Sequence, residues 1–468
     1  MSGQVTGQLA PGLAAATLCG VTREPAARSL RRYRWLLAVI LLLSLALRLG
    51  WVLYRPVSEP SLANLPDQGE YLTLGRNLLN GQGLIFYDER FRSIVYAYRM
   101  PLYPALIAAC GGHIRVTQLV QAGIDSTTVL AIAGLALVLL PAGISRYGSL
   151  AAAAIVALNP FLIFFTALLL SETLFTAMLA WGMLLIIAGA QGGRLTLADD
   201  TGEVRPVWPR IGTLLWLSGG FVLAASTLVR PSAAPLGVLI GIAASFAARP
   251  PRGSATPAFR LRWPLPVATT MLLLTLAVMF PWAYRNHQVL GQWLWTTSNS
   301  GVTAYDGFNP DATGASDQSV LQVMPQLAMM NELERSAYLS SRATAYIKNN
   351  PRRALELAVI KAGRTWSPIP LSADYRSWTY WLVGFGYSLP LYLLVLLGLL
   401  LAPMRRSRKA FLLTPALYFT LVHLASVGSL RYRVPVEPPL AVLAAAGLAT
   451  LKTPQLGWRR AGERDAVG

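Results

Sequence analysis

Long apolar runs alternate with short polar links over most of the chain, and each run is about as long as a membrane-crossing helix. A helix needs roughly 20 mainly apolar residues to cross the hydrocarbon layer. Ten runs meet that measure, at about 35–54, 116–141, 147–165, 169–190, 211–229, 232–248, 264–284, 378–402, 410–427 and 434–451. The pattern predicts an all-α polytopic membrane protein of about ten transmembrane helices.

Two long stretches break the pattern. In the first, residues 55–115, Tyr71, Leu74 and Leu78 fall at helical spacing and Gly81 can close the turn, which predicts an interfacial helix. The apolar piece Pro101–Gly111 in the same stretch is too short to span. The second, residues 285–375, reads as a soluble outside domain. Its helices are expected at 331–348 and 351–366, broken by Asn349-Asn350-Pro351. The expected organisation is a basic cytoplasmic tail (1–34) and a membrane module (35–284) carrying the first outer loop. The outside domain (285–375), the C-terminal spans (376–451) and a second cytoplasmic tail (452–468) follow. No internal repeat is visible, which disfavours a transporter built from inverted halves.

Composition agrees with a membrane protein. The chain of 468 residues is 54% hydrophobic and 13% charged, about half the charged fraction of soluble domains. Its net charge of +19 comes from 40 Lys and Arg against 21 Asp and Glu. The basic residues concentrate in 23–34, 194–210, 249–262, 405–409 and 452–464, with Arg146 in a further link. By the positive-inside rule these segments and both termini are cytoplasmic, and the two long stretches lie outside. The first run starts after a 34-residue tail and reads as a retained signal anchor. The positive charge suits anionic headgroups, and no nucleic-acid-binding pattern accompanies it. Cys19 and Cys110 imply no disulfide framework; His113, His287 and His423 show no metal-ligand spacing.

The unusual residues gather on the outer side of this topology. Asp67 and Glu70 follow the first span, and Arg99 precedes Pro-Leu-Tyr-Pro in the same loop. Glu172 sits in the apolar LLLSETLF, Arg230 links two spans, and Arg285-Asn286 ends a third. Arg431 and Arg433 precede the last span, followed by Glu437. Ionisable residues at membrane segments are costly and point to function. Carboxylates and arginines at one surface suit an anionic, lipid-linked substrate and a proton transfer beside it. Taken singly, each has a plainer reading. Asp67-x-x-Glu70 has the form of a helix cap, the arginines can snorkel to lipid phosphates, and Glu172 can complete a buried ion pair.

The motifs PDQGEY, GRNLLNGQG, RMPLYPALIA, LNPFLIFFTALLLSETLF, LVRPSA, PWAYRNHQVLGQW and RYRVPVEPPL, in that order, resemble the membrane-embedded GT-C glycosyltransferases. The similarity points to the bacterial family related to protein O-mannosyltransferases and lipid A aminoarabinose transferases, and covers about residues 35–451. It implies a polyprenyl-phosphate-linked sugar donor, a glycan, lipid or protein acceptor, and a site on the outer face of the bacterial inner membrane. It also implies a carboxylate after the first span, Asp67, as general base for an inverting transfer. Arg99 and Arg285 match phosphate contacts of the family; Glu172, Arg230, Asn286, Arg431 and Arg433 are further substrate-binding candidates. Members of the group often carry adjacent Asp-Glu, whereas Gln68 and Gly69 separate the pair here, so the choice between Asp67 and Glu70 stays open. The group includes metal-dependent and metal-independent members, and Asp67, Glu70 and Glu172 could supply oxygen ligands to a divalent metal; no ligand spacing specifies one, and no cofactor is expected. The competing reading is a transporter or flippase of polyprenyl-linked sugars. Nearly pure Leu, Ala, Val and Ile in mid-span, with Arg48 the main exception, weighs against a headgroup path.

Overall fold

Breaks at proline and capping residues divide the apolar runs into helices in a computed structural model. It describes residues 23–55, 62, 65–192, 209–249, 264–371 and 377–452. Cys19, most of both tails and the basic links 193–208 and 250–263, with Arg194, Arg205, Arg252, Arg260 and Arg262, lie outside the described residues.

The first span is α1 (Arg23–Tyr54), and the loop after it holds α2 (Pro66–Leu79) and α3 (Leu102–Ala109). Between them a short antiparallel hairpin, β1 (Phe86–Asp88) and β2 (Ser93–Val95), departs from the expected all-α loop. The membrane module continues with α4 (Ile114–Leu139), α5 (Ala142–Ala157), α6 (Pro160–Thr166), α7 (Glu172–Ala190), α8 (Pro209–Ser226), α9 (Leu236–Ala247) and α10 (Pro264–Leu290). The segment after α10 contains α11 (Ser300–Gly307), α12 (Glu332–Asn349) and α13 (Pro351–Thr365). The chain closes with α14 (Trp378–Leu401), α15 (Arg406–Leu424) and α16 (Glu437–Lys452).

Helices occupy all ten apolar runs. Among the described residues six helices are long and apolar enough to cross a membrane by themselves, or seven if the bent pair α5–α6 is one span. That pair replaces the single span expected over 147–165, because Pro160 has no N–H to continue α5. Asn159 instead caps α6, accepting from the N–H groups of Phe161 and Leu162, and the two helices meet at 49°. The predicted helices at 331–348 and 351–366 correspond to α12 and α13. The capping box of Asn331 and Glu334 starts α12, and Pro351 opens α13.

A fully buried ion pair ties α1 to the bundle. Arg48 donates to Asp125 of α4 at 2.5 Å. Its other nitrogens donate to Ser44 and to the carbonyls of Val156 and Ala157 at the break after α5, where the Val156 carbonyl also accepts from the Asn159 N–H. The last span packs closely on α14 through Gly447, where an added Cβ would lie 2.1 Å from the Leu394 carbonyl oxygen. The segment between α1 and α4 and the segment between α10 and α14 share one core. Phe86, Phe91, Val95 and Tyr98 pack there with Tyr305, Phe308, Leu339 and Leu357. The two segments, separate in the sequence, thus form one cap over the bundle.

Candidate active site

The site is built where the first turn of α2 meets the α6–α7 connection. Pro66 occupies the first helical position, and Asp67 follows in the first turn, where the helix dipole favours a carboxylate. The cap reading of Asp67-x-x-Glu70 does not hold: the N-cap is Leu65, and it makes no side-chain capping bond. Both Asp67 oxygens are taken by arginines instead. Gln68 docks this turn on the bundle, its carbonyl accepting from the Leu169 N–H at 2.9 Å. Tyr71 packs edge-on against Tyr103 of α3, ring centroids 4.9 Å apart. At Gly75 an added Cβ would lie 2.5 Å from the Ile107 side chain, so α2 and α3 can cross this closely only without one.

Two glutamines of α4 fix the opposite wall. Gln121 donates to the carbonyls of Thr166 and Leu168, and Gln118 to that of Ala167. Tyr103 donates to the Gln121 oxygen at 2.5 Å. These bonds satisfy carbonyls freed where α6 ends and so hold the start of α7, with Glu172, in place.

Across this junction run alternating carboxylates and guanidiniums. Asp67 accepts from Arg99 at 2.5 Å on one oxygen and from Arg431 at 2.7 Å on the other. Glu70 accepts from Arg99 at 2.7 Å and from Arg90 at 2.9 Å. Arg431 also pairs with Glu172, which accepts from Arg230 at 2.5 Å on the same oxygen. The second Glu172 oxygen is buried without a partner. The ladder therefore reads Arg90–Glu70–Arg99–Asp67–Arg431–Glu172–Arg230, three carboxylates among four arginines. Arg99 lies against the rings of Tyr71 and Tyr98, and Arg230 against Phe175.

Exposure separates the carboxylates: the Asp67 side chain is 29% accessible, that of Glu70 10% and that of Glu172 0%. Burial alone would raise Asp67, but Arg99 and Arg431 outweigh it and hold the group well below the ordinary carboxylate value. Glu70 is the reverse: burial, helped by the Asp67 charge, lifts it above its ordinary value despite Arg99 and Arg90. Among the described residues no group of three or more His, Cys, Asp or Glu is arranged to hold a metal ion.

Of the residues singled out from sequence, Asp67, Glu70, Arg99, Glu172, Arg230 and Arg431 meet in this ladder. Three do not. Arg285 donates to the carbonyls of Tyr96 and Leu84, and Asn286 to that of Leu294, bracing the segments after α1 and α10. Arg433, fully buried, pairs with Glu437 at 2.7 Å, donates to Ser388 and to the Ser367 carbonyl, and lies over Phe161. It holds helices together below the ladder. Arg90 was missed. Its setting, Asp-Glu-Arg-Phe-Arg, has the look of a solvated charge run, and only the hairpin turns it inward. Glu332 at the start of α12 was missed as well: it accepts from the N–H groups of Tyr96 and Ala97 and fixes the strand leading to Arg99.

No protein-family model matches the chain, and no curated protein matches it in sequence. Its fold is similar to that of the archaeal oligosaccharyltransferase AglB from Archaeoglobus fulgidus in complex with an inhibitory peptide and a dolichol-phosphate. The TM-score is 0.53 at 14% identity, over 93% of this chain and 52% of that one. It is also similar to the oligosaccharyltransferase of the same organism tethered through a disulfide to an acceptor peptide containing the NVT sequon. There the TM-score is 0.51 at 14% identity, over 90% of this chain and 49% of that one. This chain spans about half the length of these structures. The chain thus shares the fold of these structures, in a multi-pass membrane protein.

Proposed function

We propose that this chain is an integral-membrane glycosyltransferase of the bacterial inner membrane. In this reading it takes a sugar from a polyprenyl-phosphate donor and passes it, with inversion, to an acceptor hydroxyl at the outer face. The narrower kinship with protein O-mannosyltransferases and lipid A aminoarabinose transferases belongs to the same proposal, as do ten spans with both termini cytoplasmic. Helices in all ten runs and the basic asymmetry of the links support that topology.

The observation that carries the reading is that two arginines hold the carboxylate of the proposed base, one on each side. Arg99 and Arg431 flank Asp67 on its two oxygens. A phosphate entering between them competes for both guanidiniums. As they turn to the phosphate, Asp67 loses the interactions that keep its proton affinity low, and it becomes a competent base. The acceptor oxygen attacks the anomeric carbon, its proton passes to Asp67, and the sugar–phosphate bond breaks. The electron pair leaves on the polyprenyl phosphate, where Arg99 and Arg431 meet the growing charge. Glu172 and Arg230 anchor Arg431 from below. Glu70, more buried than Asp67, holds Arg99.

Proteoliposomes loaded with a radiolabelled pool of polyprenyl-phosphate sugars test this reading. Label passing to a glycan, lipid or protein acceptor supports it. Headgroups crossing the bilayer with no transfer contradict it and identify a flippase.

A further inference from the structure

We propose that Arg90 is a positioning residue for the transfer site, one that clamps Glu70 between the hairpin and the outer segment through Gln318. The inference rests on the proposed transfer reaction and extends it to a residue in the outer cap.

Arg90 uses its whole guanidinium in this clamp. One nitrogen donates to Asp88, another to Gln318 at 2.5 Å, and the third to both Glu70 at 2.9 Å and Asp88 at 2.6 Å. Its backbone N–H also donates to Asp88, so the hairpin fixes the arginine before it reaches Glu70. Gln318 is held in turn. It opens a 3₁₀ turn capped by Asp317, and the buried Asp306 accepts from the Asp317 N–H and the Ser316 hydroxyl. A continuous chain of polar contacts therefore runs from Asp306 through Gln318 and Arg90 to Glu70, Arg99 and Asp67.

An arginine needed only by the hairpin would be satisfied by Asp88. The further bonds to Glu70 and Gln318 join two segments distant in sequence, and they do so at the carboxylate that orients Arg99. The groups facing Glu70 are Arg99, Asp67, Arg90 and the buried Tyr98. Arg90 and Arg99 are the cations among them. Without Arg90, burial and Asp67 would push Glu70 toward its neutral form, which holds Arg99 less firmly.

The test compares wild type with Arg90→Lys and Arg90→Met as full-length protein in lipid nanodiscs. Infrared difference spectra against the matching Glu70→Gln proteins follow protonation of Glu70 without relying on activity. Arg90→Met is expected to move the Glu70 midpoint up by about one pH unit or more, the scale of losing a neighbouring opposite charge. Arg90→Lys is expected to restore most of the shift. In transfer assays with the polyprenyl-phosphate sugar pool, the acid limb of the kcat profile is expected to move up in Arg90→Met. An unmoved Glu70 midpoint, or lower thermal stability with an unmoved limb, overturns the positioning role. If wild type transfers no sugar, the transferase reading fails, while the infrared midpoint still decides whether Arg90 controls Glu70.

Discussion

Arg431 donates to Asp67 at 2.7 Å and also pairs with Glu172, joining a carboxylate in the first turn of α2 to one at the start of α7. The arginine comes from the turn just before the last span, so the two ends of the chain close on one site. Arg433, two residues on, is turned into the bundle against Glu437.

This difference predicts opposite phenotypes. Arg433→Met leaves the Glu437 charge buried and unpaired, which is expected to cost roughly 3–5 kcal/mol of stability. The folded fraction is expected to bind polyprenyl phosphate as wild type does. Arg431→Met, at a more accessible position, is expected to bind polyprenyl phosphate at least about tenfold more weakly, the effect of losing a charge-assisted contact of roughly 1.5–3 kcal/mol. Thermal melts and a polyprenyl-phosphate binding titration on both variants check this.

The Arg48–Asp125 pair gives a second contrast. Arg48→Met is expected to lower Tm clearly, since Asp125 and the Ala157 carbonyl lose their donor. Arg48→Met with Asp125→Leu is expected to recover much of that loss, because removing both charges removes the stranded one. A double-mutant cycle of melting temperatures measures the coupling.

Lys361 predicts a pH dependence. It is fully buried on α13, with its ammonium over the Phe308 ring, and burial lowers it to about 8. Above that pH the folded protein holds the lysine neutral while the unfolded chain still binds the proton, so stability rises with pH up to the ordinary lysine value. The Tm of wild type relative to Lys361→Met is therefore expected to increase between pH 7 and pH 10. A difference that stays constant or shrinks contradicts the assignment.

Much of this architecture is legible in the sequence because membrane helices announce themselves by length and apolarity. The helix at Pro66–Leu79 was legible from the spacing of Tyr71 and Leu74, both buried. The bend at Pro160 was not foreseen, because a long apolar run hides a proline that a capping asparagine turns into a new helix start. Six ladder residues were visible as charges out of place at membrane edges. Arg90 was not, since its neighbours are charged too. Nor could RYRVPVEP tell Arg431 from Arg433: two residues along a 3₁₀ turn reverse which way a side chain faces, and only the packed turn decides it. The apparent cap at Asp67 misled for a related reason, since local pattern cannot count arginines arriving from distant loops.

The central claim is that Asp67 takes the acceptor's proton, and Asp67→Asn tests it most directly. The variant keeps the shape of the side chain and removes its basicity. With donor binding retained, transfer from the radiolabelled polyprenyl-phosphate sugar pool is expected to fall by about 10²–10⁴-fold, the contribution of a general base. Transfer at the wild-type rate by folded, donor-binding Asp67→Asn would contradict the account.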